Sequence, residues 1–177
     1  AALWIGDVGI SGINAVAEIL TGKVNPSGSL VDTYCYDNFS APAMWNFTPT
    51  TYEGYVEGGD VSAKAKSYMI YQEGIYVGYK FYETASDEGL INYDDTVAFP
   101  FGYGLSYTSF DQKLDSVKYK GGKVTVTATV TNTGDKAGKD VVEAYYNPPY
   151  TDGGIEKASK NLVAFEKTKK LEPGASQ

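Results

Sequence analysis

The sequence predicts a mixed fold, in which the end of an α/β (sandwich) domain is followed by an incomplete all-β sandwich. Three observations predict it. The first forty residues have a strand–helix–strand pattern, residues 99–107 are a stiff aromatic segment with proline and glycine, and short alternating strands fill the chain after residue 110. The boundaries that follow are residues 1–98 for the α/β portion, 99–110 for an interdomain strap and 111–177 for the truncated β domain.

The α/β portion begins with apolar residues 3–5, which predict a short buried strand. A helix is expected next, because apolar residues recur on one face at i, i+3, i+4 and i+7: Ile13, Val16, Ala17 and Leu20. After the helix, Gly22 and the turn residues 25–28 precede a second predicted strand over residues 30–36. Cys35 lies in that apolar-aromatic strand and is expected to be a buried structural thiol.

Residues 37–67 form a long irregular loop that is rich in aromatic residues, proline and glycine. Long loops of this kind are usually functional or cover another domain. Residues 68–84 alternate apolar and aromatic side chains on both faces, which predicts a largely buried strand. The polar segment 85–96 carries two acidic pairs, Asp87-Glu88 and Asp94-Asp95, which are expected to be solvated.

The β portion starts with a predicted hairpin, in which strands over residues 114–119 and 123–132 flank Gly121-Gly122. The second strand alternates valine or alanine with threonine, so that one face should be buried and the other solvated. Two more strands are predicted over 140–147 and 162–168. This spacing is typical of an immunoglobulin-like or fibronectin-III-like sandwich, which needs about seven strands, so the domain is expected to be incomplete.

Composition excludes several functions. The 22 acidic residues outnumber the 15 basic ones, the net charge is −7, and every basic residue is lysine, so clustered cations for nucleic acid or anionic membranes are missing. Histidine is absent, which removes imidazole-based nucleophile systems and the commonest zinc sites. No apolar stretch approaches the ~20 residues of a membrane span. No metal or cofactor is expected.

Five motifs together resemble one family, the family 3 glycoside hydrolases of the bacterial β-glucosidase group. They occur in the family's order and cover essentially the whole chain: AVAEILTGKVNPSG (15–28), YQEGIYVGYKFY (71–82), FPFGYGLSY (99–107), VTNTGDKAG (130–138) and LEPG (171–174). The resemblance implies a (β/α)₈-type barrel, an α/β sandwich domain and a fibronectin-III-like domain. This chain resembles the end of the second domain and most of the third.

The resemblance implies no catalytic residue in this chain. The family's nucleophile is an Asp on the barrel, and its acid/base, often a Glu, lies upstream of the segment matched here. Retaining hydrolysis needs these two carboxyl groups roughly 5–5.5 Å apart. Glu18, Glu73 and Glu143 adjoin apolar runs and are interpreted as capping or packing residues.

The resemblance implies that the chain is an accessory part of a retaining β-glucosidase-like enzyme, and that the whole enzyme removes terminal β-linked glycosyl residues. The segment alone is expected to be inactive. Its partners would be an oligosaccharide or β-glucoside substrate, through the whole enzyme, and the catalytic barrel of the same protein. Trp45 and Tyr52 are the candidate substrate-binding residues. Two alternatives remain open: a non-catalytic carbohydrate-binding module and an immunoglobulin-like cell-surface module.

Overall fold

The computed structural model describes residues 2–48, 50–51 and 67–177 and has a mixed architecture of short helices and small two-stranded sheets. In chain order the elements are α1 (Ile13–Leu20), β1 (Tyr34–Cys35), a 3₁₀ turn (Asn38–Ser40), α2 (Pro42–Trp45), β2 (Thr50–Thr51), β3 (Ser67–Tyr68), α3 (Tyr79–Asp87), α4 (Tyr93–Thr96), β4 (Val97–Phe99), β5 (Phe110–Lys120), β6 (Lys123–Asn132), β7 (Val141–Tyr146) and β8 (Asn161–Lys167). Among the described residues, no helix has the length and apolar character that crossing a membrane requires.

Two compact units divide the chain, and each is assembled from separate segments. Unit 1 comprises Ala1–Leu30, Gly102–Ala144 and Leu162–Gln177. Unit 2 comprises Val31–Phe101 and Tyr145–Asn161.

Unit 1 contains the predicted helix and the predicted hairpin. Helix α1 spans the same residues that the apolar spacing indicated, 13–20. Strands β5 and β6 pair antiparallel from Phe110↔Asn132 to Lys120↔Lys123, with an irregularity between Leu114 and Ser116. The two remaining predicted strands are confirmed as β7 and β8, which pair with each other.

Only the C-terminal end of β6 is buried, whereas the sequence predicts one buried face along the whole strand. Val130 is 2 % exposed, but Val124 and Val126 are about half exposed. The difference is explained by a contact at one end of the strand. The chain returns beside the end of β6, where Val130 and Gln177 exchange two backbone hydrogen bonds of 2.9 Å each. The apolar face nearer the hairpin turn has no such cover among the described residues.

Asn132 is the polar centre of unit 1 and is fully buried. Its side-chain oxygen accepts hydrogen bonds from the Thr108 hydroxyl (2.7 Å) and the Gly134 amide (3.1 Å). Its amide nitrogen donates to the carbonyls of Lys136 (2.8 Å) and Leu171 (2.9 Å). The side chain therefore uses all four of its hydrogen-bonding positions to join three loops.

The segment after residue 101 runs against the turn that follows α1. Leu30 donates its amide to the Tyr103 carbonyl, and Gly102 donates to the Leu30 carbonyl, each at 2.8 Å. The approach is so close that a Cβ on Gly104 would lie 2.6 Å from the Gly28 carbonyl oxygen. Glycine is therefore required at 104 because the neighbouring atom is backbone and cannot rotate away.

Replacing Gly104 by alanine is expected to destabilise this contact by about 2 kcal/mol. The new Cβ would clash with the Gly28 carbonyl oxygen, so the backbone must shift at residue 104 or at residue 28. The matched control is Gly28→Ala, since a Cβ on Gly28 would meet no heavy atom within 4 Å. Hydrogen exchange of the Leu30 and Gly102 amides in the full-length protein measures the effect. Faster exchange in the Gly104 variant alone supports the close approach, and equal exchange in both variants contradicts it.

Unit 2 shows that the prediction of a buried strand over residues 68–84 is wrong. Only Ser67–Tyr68 is a strand, and Tyr79–Asp87 is helix α3. Gly78 precedes the helix with φ +58°, a left-handed value that side chains disfavour and that redirects the backbone. The buried residues of α3 are Tyr82 and Ala85, three positions apart, so the helical period decides which side chains face the core.

The first two predicted strands are also altered. Residues 3–5 form no strand, and Leu3, Trp4 and Ile5 are exposed. The strand predicted over 30–36 is reduced to Tyr34–Cys35, which pairs antiparallel with β4. Cys35 is half-buried rather than buried.

The segment between β7 and β8 belongs to unit 2, a placement that the sequence did not predict. The Thr84 hydroxyl of α3 accepts a hydrogen bond from the Ser159 amide at 3.0 Å. Tyr76, just before α3, donates its hydroxyl proton to Glu156. Polar contacts therefore connect residues 145–161 to α3 and to the residues just before it.

Candidate functional site

Trp45 is held at the end of α2 by a chain of local hydrogen bonds. Asp37 begins the 3₁₀ turn, and its carboxylate accepts the Phe39 amide at 2.9 Å. The Phe39 carbonyl then accepts the Trp45 indole N–H at 2.9 Å. Pro42 occupies the start of α2, where proline costs no hydrogen bond. The indole nitrogen is therefore satisfied within the protein, while the side chain remains 62 % exposed.

Trp45 belongs to a group of exposed aromatic side chains in one stretch of unit 2. We call this group the aromatic surface, and it consists of Tyr34, Tyr36, Phe39, Trp45 and Phe47. A large exposed apolar patch usually marks an interaction site. Aromatic rings suit either another protein surface or the CH faces of a sugar.

Tyr82 contacts the 3₁₀ turn that contains Phe39 of the aromatic surface. It is nearly fully buried, and its hydroxyl lies 3.2 Å from the Ser40 hydroxyl, which donates to the Asp37 carbonyl at 2.6 Å. Burial is the main cause that raises the Tyr82 pKa to about 12, followed by a hydrogen bond with the Cys35 thiol. Tyr82 is thus neutral at physiological pH and serves to anchor the 3₁₀ turn to α3.

The other predicted site residue, Tyr52, lies outside the described residues. The structure therefore places Trp45 and leaves the prediction for Tyr52 as it stood. Among the described residues, no group of three or more histidine, cysteine, aspartate or glutamate side chains is arranged to hold a metal ion.

Several acidic residues that the structure describes make structural contacts within the protein. Glu18 pairs with Lys23 beyond the end of α1, Glu83 accepts the Tyr93 hydroxyl at 2.7 Å and pairs with Lys160, and Glu156 accepts the Tyr76 hydroxyl. Asp87-Glu88 and Asp94-Asp95 are exposed, as expected from their polar surroundings.

Several known proteins similar to this chain are β-glucosidases. A β-glucosidase of Ruminococcus albus is 38 % identical over 177 residues, all of this chain and 16 % of that protein. β-Glucosidase A of Butyrivibrio fibrisolvens is 40 % identical over 189 aligned residues, 98 % of this chain and 20 % of that protein. No family model matches the chain.

Solved structures give the same result. The β-glucosidase of Paenibacillus barengoltzii superposes with a TM-score of 0.74 at 39 % identity, over 94 % of this chain and 16 % of that one. The GH3 β-glucosidase of Bifidobacterium adolescentis superposes with a TM-score of 0.70 at 32 % identity, over 94 % and 21 %. The chain corresponds to part of a family 3 β-glucosidase.

The chain spans about a fifth or less of the length of the relatives just named. The predicted resemblance, inferred from five short motifs, is confirmed. The motifs also mark structural positions within the segment: the first contains most of α1, the second leads into α3, and the fourth contains Asn132.

The sequence predictions did not identify the polar contacts of unit 2 that involve Tyr76, Glu83 and Glu156. Their partners lie far along the chain: Glu156 is 80 residues from Tyr76, and Lys160 is 77 residues from Glu83. No local sequence pattern predicts a pair of residues so far apart. Tyr76 does lie within the second family motif, residues 71–82.

Proposed function

We propose that this segment is an accessory portion of a retaining β-glucosidase, whose whole enzyme hydrolyses terminal β-linked glycosyl residues of oligosaccharides or β-glucosides. The observation that carries the proposal is the similarity to β-glucosidases over essentially the entire chain. No residue of the segment is assigned as nucleophile or acid/base, and the segment alone is expected to be inactive. The catalytic barrel of the same protein is its expected partner.

The domain organisation of the proposal keeps the sequence-based boundaries. Residues 1–98 form the end of the α/β sandwich domain, 99–110 the interdomain strap, and 111–177 a fibronectin-III-like domain. The long antiparallel hairpin and the β7–β8 pair support the β domain. Apolar side chains of these strands are exposed where a sandwich would bury them: Leu114, Val117, Val124, Val126, Val163 and Phe165.

Within this segment, we assign a role in substrate binding to the aromatic surface. Trp45 has its only polar atom bonded to the Phe39 carbonyl, so its exposed ring offers an apolar face with little conformational freedom. A fixed ring of this kind can close one side of a glycoside pocket at a small entropic cost. We propose that Trp45, together with Tyr52, contacts the aglycone side of the substrate.

The double variant Trp45→Ala/Tyr52→Ala tests this role in the full-length enzyme. We expect KM for aryl and alkyl β-glucosides to rise roughly tenfold, because ring contacts are worth about 0.5–1.5 kcal/mol each. The change in KM should depend on the aglycone, while kcat should change little. The control is Tyr119→Ala, which removes an exposed ring of β5 that belongs to no proposed site.

Two results would contradict the proposal in different ways. Unchanged kcat and KM across several aglycones would remove Trp45 and Tyr52 from the substrate site. Failure of the full-length wild-type protein to hydrolyse any β-glucoside would remove the enzymatic function and favour the carbohydrate-binding alternative.

A further inference from the structure

Unit 2 contains an open groove between α3 and the segment 145–161. Its volume is about 830 Å³, which lies in the range of small-molecule binding sites. The lining combines aromatic and proline rings with carboxylates: Tyr76, Phe81, Pro148, Pro149, Tyr150, Asp87, Glu88, Asp152 and Glu156. The groove shares no lining residue with the aromatic surface.

Two tyrosines are arranged around one carboxylate of this groove. The Tyr76 hydroxyl donates to Glu156, and this hydrogen bond is the main cause that raises the Tyr76 pKa to about 12. The charge of Glu156 also raises the Tyr150 pKa, and Glu88 acts in the same direction on both tyrosines. All four of these residues line the same groove. Tyr150 is 46 % exposed, so its ring is accessible.

The lysines of the groove are already engaged. Lys160 pairs with Glu83, and Lys157 donates to the Pro149 carbonyl at 2.7 Å. Both lysines are thus held by contacts within the protein, while Glu88, Asp87 and Asp152 are exposed residues whose oxygens can accept hydrogen bonds from a ligand. An accessible ring beside several acceptors matches a ligand that has apolar CH faces and many hydroxyl donors.

We infer that this groove binds a neutral oligosaccharide of β-linked glucosyl units, with Tyr150 stacked on a sugar ring and Glu88 accepting hydrogen bonds from sugar hydroxyls. The choice of β-linked glucosyl units rests on the proposed function, whereas the sugar-like chemistry rests on the groove itself. Binding here would hold an oligosaccharide on the enzyme without cleaving it, because the segment supplies no assigned nucleophile.

The test uses the full-length protein with its hydrolytic site saturated by a competitive iminosugar inhibitor. Isothermal titration with cellotetraose is expected to reveal a binding event that the inhibitor does not block. Tyr150→Ala should weaken this event at least fivefold, and Glu88→Gln about threefold. Tyr150→Phe keeps the ring and should stay within twofold of wild type, as should the control Tyr119→Ala.

Several outcomes overturn the inference. They are the absence of inhibitor-resistant binding, binding that Tyr150→Ala leaves unchanged, and a loss with Tyr150→Phe as large as that with Tyr150→Ala. Hydrolysis of β-glucosides measured without inhibitor separates this inference from the proposed function. Hydrolysis without groove binding refutes only the groove, and groove binding without hydrolysis refutes only the enzymatic function.

Discussion

Replacing Asn132 by alanine is expected to be the most damaging single substitution in unit 1, at about 3–5 kcal/mol. The side chain is fully buried and makes four hydrogen bonds. Alanine would remove the acceptor of the Thr108 hydroxyl and the Gly134 amide and the side-chain donor of the Lys136 carbonyl, whereas the Leu171 carbonyl keeps the Gly138 amide at 3.0 Å. Each unsatisfied buried group costs about 1–3 kcal/mol. The cavity left by the amide adds to that cost.

Hydrogen exchange in the full-length protein measures the effect at the site. The Val130 and Asn132 amides donate to the Gln177 and Ala175 carbonyls, so their protection reports whether the chain still pairs with the end of β6. A loss of 3 kcal/mol corresponds to roughly a hundredfold faster exchange. The neighbouring Thr133→Ala, at an exposed position, is the control and should change stability by less than about 0.5 kcal/mol.

Asn132→Asp separates the loss of donors from the loss of volume. The carboxylate fills the same space, but it cannot donate to the Lys136 and Leu171 carbonyls when it is ionised. Burial beside those oxygens would raise the pKa of the introduced carboxyl above its unfolded value. The folded state would then bind the proton more tightly, so the variant should gain stability as pH falls and lose it as pH rises through the raised pKa. An aspartate variant as stable as wild type at neutral pH would contradict the network.

The β portion could be predicted from sequence because its signals are local. The strict alternation of residues 123–132 and the glycine pair at 121–122 specify a hairpin, whose register runs to Lys120↔Lys123 beside the turn. Local signals did not specify which part of β6 is buried. That depends on the return of residues 174–177 beside Val130 and Asn132, a tertiary contact.

The helix α3 was missed because its sequence fits two periods. Tyr79 and Phe81 alternate as in a strand, whereas Tyr79 and Tyr82 are three positions apart as on one face of a helix, so periodicity alone cannot decide between them. In the structure, Gly78 has a left-handed φ of +58° immediately before the helix. The sequence does not reveal this backbone conformation, because glycine can adopt either sign of φ. For the candidate site, the aromatic content was visible in the sequence. The orientation of Trp45 was not visible, because it depends on a bond to the Phe39 carbonyl.

Removing the Glu83 carboxylate is expected to release the segment 145–161 from α3. The Glu83 side chain is only 20 % exposed; it accepts the Tyr93 hydroxyl at 2.7 Å and pairs with Lys160. Glu83→Ala would leave a partly buried hydroxyl and a partly buried ammonium group without their acceptor. Hydrogen bonds to charged groups contribute about 1.5–3 kcal/mol, and the 42 % exposure of Lys160 lowers its share, so we expect a loss of about 2–3 kcal/mol.

Dependence on pH distinguishes this contact from simple packing. Burial, and then the hydrogen bond to Glu83, raises the Tyr93 pKa, while the hydrogen bond to Glu83 is the main cause that raises the Lys160 pKa. Both groups hold their protons more tightly in the folded state. Their contribution is therefore complete below the unfolded pKa values of about 10 and is lost as pH rises above them. In Glu83→Gln the carboxylate is absent, so stability should fall less steeply above about pH 10 than in wild type. Exchange of the Ser159 amide, which donates to Thr84, reports the release, and identical pH profiles for the two proteins would show that Glu83 does not hold the segment.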